Sequence, residues 1–316
     1  MNKKILTFGL VISFLLSNTA EPSIANTSLN QNPTIAIIDT ALDSSISILN
    51  GRIAHEVCIL ESGSCPNGYS FMEGKGAALL PINVLSKNGF SHGTIMTSTF
   101  AKYNSGTNIV FIRIIGASLT GVRENVSGIA LSNALDWVYK NKDIYSIQAV
   151  SMSQSANVKK GGYNYCPELF DLSKKISDLY LAQIPVFLPT GNNGHKSKIN
   201  WPACIDQSIA VGGATEQSNI AAWSNVDINK TDFYDLGVVT STTVGNKKIN
   251  VSGTSISTQI AAAHWMTIKS SYPDLSYNDI YKILDESSIK IYGSNNLWGK
   301  LINMNGALNV RSSNST

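Results

Sequence analysis

Four short polar motifs in this chain contain the side-chain types that acyl transfer requires. In chain order they are Ile-Ile-Asp39-Thr-Ala, Ser-His92-Gly-Thr, Gly-Asn192-Asn-Gly and Gly-Thr-Ser255-Ile-Ser. A serine hydroxyl attacks a carbonyl only when a base takes its proton, and that base needs an acceptor for its other N–H. Ser255 is therefore predicted as the nucleophile, His92 as its base and Asp39 as the acceptor. Asn192 and the backbone N–H of Ser255 could donate to the oxyanion that forms during attack.

Each of these residues, taken alone, also has an ordinary structural explanation. An aspartate or a serine can cap a helix, and an asparagine between glycines can serve a turn. The four motifs favour catalysis together, because their order and their local contexts agree. The other histidines lack such a context: they are His55, His195, which adjoins the Asn192 motif, and His264, which is predicted to pack on a helix face.

Alternating apolar segments predict the elements that must position these side chains. Short continuous apolar runs, typical of strands buried on both faces, span 34–38, 108–115, 146–152, 185–188 and 208–211. Apolar residues at helical spacing predict helices over 126–140, 169–181, 255–269 and 276–284. This alternation predicts an α/β fold with a mainly parallel central sheet.

The predicted elements place the four motifs at strand ends and helix starts. Asp39 ends the first strand, and Asn192 follows the fourth. His92 and Ser255 each open a helix. Right-handed crossovers bring the carboxyl ends of parallel strands to one edge of the sheet, where α/β proteins usually build their sites. We therefore expect one site that contains all four side chains.

The four motifs in this order resemble the subtilisin-like serine proteases, the subtilases or peptidase S8 family. The similarity runs from about Thr34 to about Val310 and includes Trp201-Pro202-Ala203 and Trp223-Ser224-Asn225. It implies a serine endopeptidase with protein or peptide substrates and a three-layer sandwich that has helices on both faces of the sheet. By the same resemblance, Ser153, Gln154 and Ser155 would form one wall of the primary specificity pocket and pair with the substrate backbone.

Several residues depart from the subtilase pattern. Ala41 replaces a glycine, Gln154-Ser155 a Leu-Gly pair, Ser257 an alanine, and Gln259-Ile260 a Pro-His pair. Ala41 would be strained if its position required a positive φ. The change at 154–155 means that the substrate preference of the family cannot be transferred. The departures at Ala41, Gln259 and Ile260 motivate an alternative function, a catalytically weak or inactive subtilase fold used for binding.

The amino-terminal segment has the pattern of a secretory signal peptide. Lys3 and Lys4 precede the apolar run Ile5–Leu16, which is shorter than the roughly 20 residues that span a bilayer. Small residues around Ala25 predict cleavage after that residue, with Ala20 as the alternative site and an uncleaved anchor as the alternative interpretation. No later segment is apolar enough to cross a membrane. We expect a signal peptide at 1–25, one catalytic domain at 26–316, and a secreted or periplasmic protein.

The predicted mature start lies close to the first strand. The few residues between Ala25 and Thr34 leave no room for the folding prodomain that most secreted subtilases carry. The catalytic subunits of certain secreted bacterial toxins resemble this arrangement. The resemblance therefore adds a toxin-like subtilase with a narrow host protein substrate to the alternatives.

The chain contains four cysteines, at positions 58, 65, 166 and 204. An even number in an oxidising compartment predicts two disulfides, and three pairings are possible. The short segment around Gly63 and Pro66 favours Cys58 with Cys65, which leaves Cys166 with Cys204. The spacing does not match a zinc site.

No cofactor or metal ion can be assigned from the sequence. Calcium is common in subtilases, but no Asp-x-Asp-x-Asp-Gly loop is present, and Asp43 is the one acidic residue that closely follows the Asp39 motif. The formal charge of +3 is spread over isolated lysine pairs, which excludes a basic nucleic-acid stripe. The expected partner is a protein or peptide substrate, and the sequence predicts no oligomeric state.

Overall fold

The computed structural model describes residues 32–87, 89–118, 120–155, 166 and 171–314, and the predicted signal peptide lies outside them. From Asn32 onward the chain forms one unit. Its strands are β1 (Thr34–Asp39), β2 (Ile53–Ile59), β3 (Phe71–Glu73), β4 (Asn108–Arg113), β5 (Ile147–Met152), β6 (Val186–Pro189), β7 (Ile209–Ala214), β8 (Phe233–Leu236), β9 (Val238–Thr243), β10 (Lys247–Ser252), β11 (Ile289–Tyr292) and β12 (Trp298–Leu301).

Helices separate most of these strands. They are α1 (Ile82–Leu85), α2 (His92–Tyr103), α3 (Gly128–Asn141), α4 (Leu172–Leu181), α5 (Thr254–Ser271), α6 (Tyr277–Ser287) and α7 (Met304–Asn314). The third begins two residues later than predicted because Ser127 caps it, its Oγ accepting from the Ala130 N–H at 3.1 Å. The fourth begins at Leu172, and residues 169 and 170 of the predicted helix lie outside the described residues.

Ten of the strands form one sheet, in the order β11-β12-β8-β7-β6-β5-β1-β4-β2-β3. The central pairs are parallel, and antiparallel pairs occur only towards the two edges, at β2–β3 and β11–β12. A separate antiparallel ribbon joins β9 to β10. The α/β fold predicted from the sequence is confirmed, whereas β4 ends at Arg113 rather than at residue 115.

The central strands are buried on both faces, as their continuous apolar runs predicted. In β1, Ile35 and Ile37 pack into one core, while Ala36 and Ile38 pack into a second core on the opposite face. Residues of α2, α5 and α6 complete the first core, and residues of α3 and α4 complete the second. Burying each isoleucine stabilises the fold by about 1.5–3 kcal/mol, so these two cores fix the register of β1 and hence the position of Asp39.

The sheet order brings two of the four predicted motifs, together with the segment that begins at Ser153, to one edge. Because β6, β5, β1 and β4 are neighbours and parallel, their carboxyl ends lie side by side. Asp39 ends β1, Ser153 follows β5 directly, and Asn192 follows β6. The same edge therefore receives the acid, the amide and the segment next to the predicted nucleophile.

Two disulfides join the four cysteines in the pairing that loop length favoured. Cys58 bonds to Cys65, and Cys166 bonds to Cys204. The first closes the loop that follows β2, where the Cys65 N–H also donates to the Tyr69 carbonyl at 2.7 Å.

Among the described residues, no helix combines the length and hydrophobicity needed to span a bilayer.

Candidate active site

The Asp39 carboxylate and the His92 imidazole form a direct pair. Asp39 Oδ1 lies 2.8 Å from His92 Nδ1 and accepts the Thr40 N–H at 2.7 Å. Asp39 is fully buried, whereas the His92 side chain is 32% exposed. Since Asp39 Oδ1 is an acceptor, the neutral imidazole carries its proton on Nδ1, and Nε2 remains as an acceptor on the side away from Asp39. This is the tautomer that a general base needs.

The environment of Asp39 keeps its carboxyl ionised. Burial by itself raises the pKa of this group. The charge and hydrogen bond of His92, with hydrogen bonds from Thr40 and Gln154, outweigh burial and hold the pKa below its ordinary value. Asp39 is thus an anion at neutral pH and can stabilise a protonated His92. Its second oxygen, Oδ2, is buried and has no hydrogen-bond partner among the described residues.

Thr40 connects the end of β1 to the start of α2. Its hydroxyl donates to the Phe90 carbonyl at 2.7 Å and accepts the Gly93 N–H at 2.9 Å. The two elements approach so closely that a Cβ at Gly93 would lie 2.4 Å from the Ala41 carbonyl oxygen. The glycine after His92 is therefore required for packing. Ala41 itself is outside the positive-φ region, so the strain anticipated at this departure from the family pattern is absent.

Ser255 lies in the first turn of α5, after a turn that only glycine adopts easily. Gly253 has φ +148°, and α5 begins at Thr254. The Ser255 hydroxyl donates to the Ser153 carbonyl at 3.3 Å. None of the hydrogen bonds of the described residues joins it to His92. Such contacts are often long without substrate and tighten only in the complex, so the geometry remains compatible with proton transfer.

The Asn192 side chain is oriented by Thr254. Asn192 Oδ1 accepts the Thr254 N–H at 2.8 Å and the Thr254 hydroxyl at 3.0 Å. These two hydrogen bonds occupy the amide oxygen, so Nδ2 is the group of this side chain that remains available as a donor. A Cβ at Gly253 would lie 3.2 Å from Nδ2, so this nitrogen lies against the turn that precedes Ser255. A donor and the positive end of a helix thus meet beside the serine.

Asn225 organises the loop that carries Asn192, a role that the sequence did not reveal. Its Oδ1 accepts the backbone N–H groups of Asn193 and His195, both at 3.0 Å. Its Nδ2 donates to the Thr190 carbonyl at 3.0 Å. The similarity of Trp223-Ser224-Asn225 to the subtilase pattern is the one sequence signal that could have identified this role.

The predicted specificity-pocket residues lie beside the site, and two of their side chains face into the protein. Ser153 and Gln154 are each 5% exposed. Ser153 Oγ donates to the Ser255 carbonyl at 3.2 Å and accepts from Gln259 Nε2 at 2.9 Å. Gln154 Nε2 donates to Asp39 Oδ1 at 3.0 Å. Ser155 is half-buried. A role for this segment in substrate binding would therefore fall mainly to its backbone.

The other histidines lie in separate environments. His264 Nδ1 lies 2.9 Å from Asp235 Oδ2, a hydrogen-bond contact in addition to the helix packing predicted for this residue. His55 stacks on Tyr145 with ring centroids 4.6 Å apart. The backbone N–H of His195 bonds to the asparagine that organises the Asn192 loop. Burial, with help from two nearby lysines, lowers the pKa of the His195 ring.

Asp43, the acidic residue considered for calcium, is engaged by protein groups. Its Oδ1 accepts the Ser45 N–H at 3.1 Å and the Ser45 hydroxyl at 2.5 Å. Its Oδ2 accepts the Gly245 N–H at 2.9 Å. Within the described ranges, no group of three or more acidic, histidine or cysteine side chains could hold a metal ion.

Comparison with known proteins gives one consistent family. The subtilase family model matches residues 30–306. Subtilisin Savinase from Lederbergia lenta is 26% identical over 264 residues, which cover 80% of this chain and 90% of that protein. The alkaline protease of Alkalihalobacillus alcalophilus is also 26% identical over 264 residues, and the matched region spans 63% of its length.

Solved structures agree with this assignment at the level of the fold. A mutant of the protease domain of PatA has a TM-score of 0.69 at 13% identity and covers 90% of this chain and 96% of its own. A cold-adapted subtilisin-like serine proteinase has a TM-score of 0.61 at 18% identity, with coverages of 85% and 87%. Because the family model matches most of the sequence, this chain belongs to the subtilase family of serine endopeptidases.

Proposed function

We propose that Ser255, His92 and Asp39 are the catalytic triad of this endopeptidase and that Asn192 completes its oxyanion hole. The observation that carries the proposal is the 2.8 Å contact between buried, ionised Asp39 and His92 Nδ1, which leaves Nε2 available as a base. The position of Ser255 in the first turn of α5 supports it further.

The proposed reaction passes through an acyl-enzyme. Ser255 Oγ attacks the scissile carbonyl carbon while its proton moves to His92 Nε2, and Asp39 stabilises the resulting imidazolium. The C–N bond then breaks as His92 returns the proton to the leaving amine. Water repeats the sequence: it loses a proton to His92, attacks the ester carbonyl and releases the acid, and Ser255 recovers its proton.

The oxyanion of each tetrahedral intermediate needs fixed donors. Asn192 Nδ2 and the Ser255 N–H are the proposed pair, because the amide oxygen of Asn192 is already bonded to Thr254. Donors that are oriented beforehand need not reorganise as charge develops, and losing one typically costs about 10²–10³ in kcat.

The Ser255 hydroxyl must rotate before the first step. We propose that a bound substrate strand displaces this hydroxyl from the Ser153 carbonyl and that it then donates to His92 Nε2. The 3.3 Å length of the present hydrogen bond supports this rotation, because a bond this long is easily exchanged.

Hydrolysis of unfolded casein tests the triad against the inactive, binding-only alternative. The mature chain is expected to cleave casein, and Ser255→Ala to leave no activity above background. Ser257→Ala is the matched control, because this fully buried serine lies on the same helix, two residues further on. Equal casein turnover by Ser255→Ala and by the parent would exclude the proposed nucleophile.

We also propose that residues 1–25 direct export and are then removed. The basic start, the short apolar run and the two disulfides support this, because disulfides persist in oxidising compartments. Amino-terminal sequencing of the exported protein should give Asn26 as the first residue. An exported protein that retains Met1 would contradict cleavage.

A further inference from the structure

The amide of Gln154 links a half-buried arginine to the catalytic pair. Gln154 Oε1 accepts from Arg123 Nη2 at 2.7 Å, and Gln154 Nε2 donates to Asp39 Oδ1 at 3.0 Å. The same Nε2 lies 3.2 Å from His92 Nδ1. Since a guanidinium only donates, Arg123 must face the amide oxygen, and the NH₂ group must then face the carboxylate.

We propose that Gln154 is a positioning residue that holds the Asp39–His92 pair in its working geometry, and that Arg123 fixes the orientation of its amide. This inference rests on the proposed triad. It also reassigns the side chain of Gln154, which the family resemblance placed in the wall of the specificity pocket.

Gln154 stands where the subtilase pattern has a leucine, and this change adds a hydrogen-bond donor beside Asp39. A leucine at position 154, as the subtilase pattern has, could not donate to Asp39. In this chain the Oδ1 atom of Asp39 accepts from Thr40, His92 and Gln154, while its Oδ2 atom has no partner among the described residues. Three donors converging on one oxygen restrict rotation of the carboxylate more strongly than two.

Within the part of the chain that the structure describes, the Arg123 side chain donates a hydrogen bond only to Gln154 Oε1. Its Nε atom is buried and has no hydrogen-bond partner within the described residues. Its Cδ atom lies 3.4 Å from where a Cβ of Gly89 would stand, so its aliphatic part packs close to the segment that leads into His92. Because this packing holds Arg123 in place, its guanidinium determines which way the Gln154 amide is oriented.

The amide also has an electrostatic effect on the pair. The charged and titratable groups that contact it, among the described residues, are Asp39, His92 and Arg123. Its N–H reduces the negative charge on the Asp39 oxygen that faces the imidazole, and the positive end of this N–H dipole disfavours a second proton on the ring. Removing the donor should therefore favour the protonated pair and move the acidic limb of the pH profile of kcat/KM to higher pH.

The test compares steady-state kinetics of Gln154→Met, Gln154→Glu and Arg123→Met on a short chromogenic peptide across pH. Methionine keeps the size of glutamine but cannot donate, so kcat should fall roughly 10-fold with KM nearly unchanged and the acidic limb displaced upward. Glutamate keeps the arginine contact but brings a second carboxylate to Asp39, so the limb should move further. Arg123→Met should also lower kcat and displace the acidic limb upward, but by smaller amounts than Gln154→Met.

A double variant separates a shared role from two independent ones. If Arg123 acts through Gln154, adding Arg123→Met to Gln154→Met should cause no further loss. An unchanged kcat and pH profile with a raised KM in Gln154→Met would overturn the inference and return the residue to the substrate pocket. Circular dichroism and thermal melting confirm that each variant is folded.

Failure of this inference is distinguishable from failure of the triad. A fluorophosphonate that labels the parent but not Ser255→Ala establishes the nucleophile without reference to Gln154. With that labelling present, an unchanged pH profile contradicts only the positioning role. With that labelling absent, the triad itself fails.

Discussion

Thr254 donates both its backbone N–H and its hydroxyl to Asn192 Oδ1, at 2.8 and 3.0 Å. The same hydroxyl accepts the Gly191 N–H at 3.1 Å. One residue thus joins the helix that begins beside Ser255 to the loop that carries the proposed oxyanion donor. The orientation of Asn192 is therefore set by the serine motif and not by its own glycine-rich loop alone.

Thr254→Val should lower kcat by about tenfold with little change in KM, because it removes one of the two hydrogen bonds that fix Asn192. Thr258→Val is the matched control. Among the described residues, its hydroxyl donates only to the Thr254 carbonyl within the same helix, at 2.8 Å. Steady-state kinetics of both variants provide the measurement, and equal losses would mean that general helix packing explains the effect.

Asn192→Ala should lower kcat by about 10²–10³-fold while KM stays within a few-fold, since the donor acts mainly in the transition state. Asn193→Ala serves as the control, because that residue contributes its backbone N–H to the loop and keeps it in the variant. A loss of similar size in both variants would point to collapse of the loop rather than to oxyanion stabilisation.

Asp39 should make the stability of the protein depend on acid pH. Its pKa in the folded state lies below the ordinary value of 3.8. The ionised group therefore contributes stability that is fully present above that pH and is lost as the pH falls through the folded pKa. In a Ser255→Ala background, which prevents autolysis, Asp39→Asn should lower the free energy of unfolding by about 1.5–3 kcal/mol at neutral pH.

Urea denaturation at a series of pH values measures this difference. The gap between the two proteins should shrink as the pH falls below 3.8, the ordinary pKa. A gap that stays constant over this range would show that the charge of Asp39 contributes nothing to folding.

Gly93→Ala should destabilise the protein by about 1–3 kcal/mol and also reduce activity, because the new methyl group forces apart the segments that hold Asp39 and His92. Its Cβ would lie 2.4 Å from the Ala41 carbonyl oxygen, whereas a Cβ at Gly106 meets no atom within 4 Å. Gly106→Ala is thus the control, with an expected change within about 0.5 kcal/mol. Thermal melting and peptide hydrolysis test the pair, and a fully active, fully stable Gly93→Ala would refute the packing argument.

The sequence predicted the parts of this molecule that depend on local chemistry. The run from Thr34 to Ile38 is apolar at every position after the first, so its burial on both faces could be read from it directly. The strand β10 has mostly exposed residues and pairs only with its neighbour β9, so it carries no such signal. Of its residues, Val251 packs against a small buried cluster, and one such residue is too few to predict a strand.

In the candidate active site, too, some features could be predicted from the sequence and others could not. Residue types and motif order were enough to predict Asp39 and His92 as partners, because few functions use both in these contexts. The direction of the Gln154 side chain was not predictable, since Arg123, which orients it, lies 31 residues away along the chain. Such pairings become visible only when the fold brings the two residues together.

Mapping of a fluorophosphonate adduct by mass spectrometry tests the proposed triad most directly. The reagent forms a bond between phosphorus and the activated serine oxygen with loss of fluoride, so it reports the nucleophile and its base together. The triad predicts one adduct per molecule, on the peptide that contains Ser255, with labelling slowed strongly in His92→Ala. An adduct on another serine, or labelling that is equally fast without His92, would contradict it.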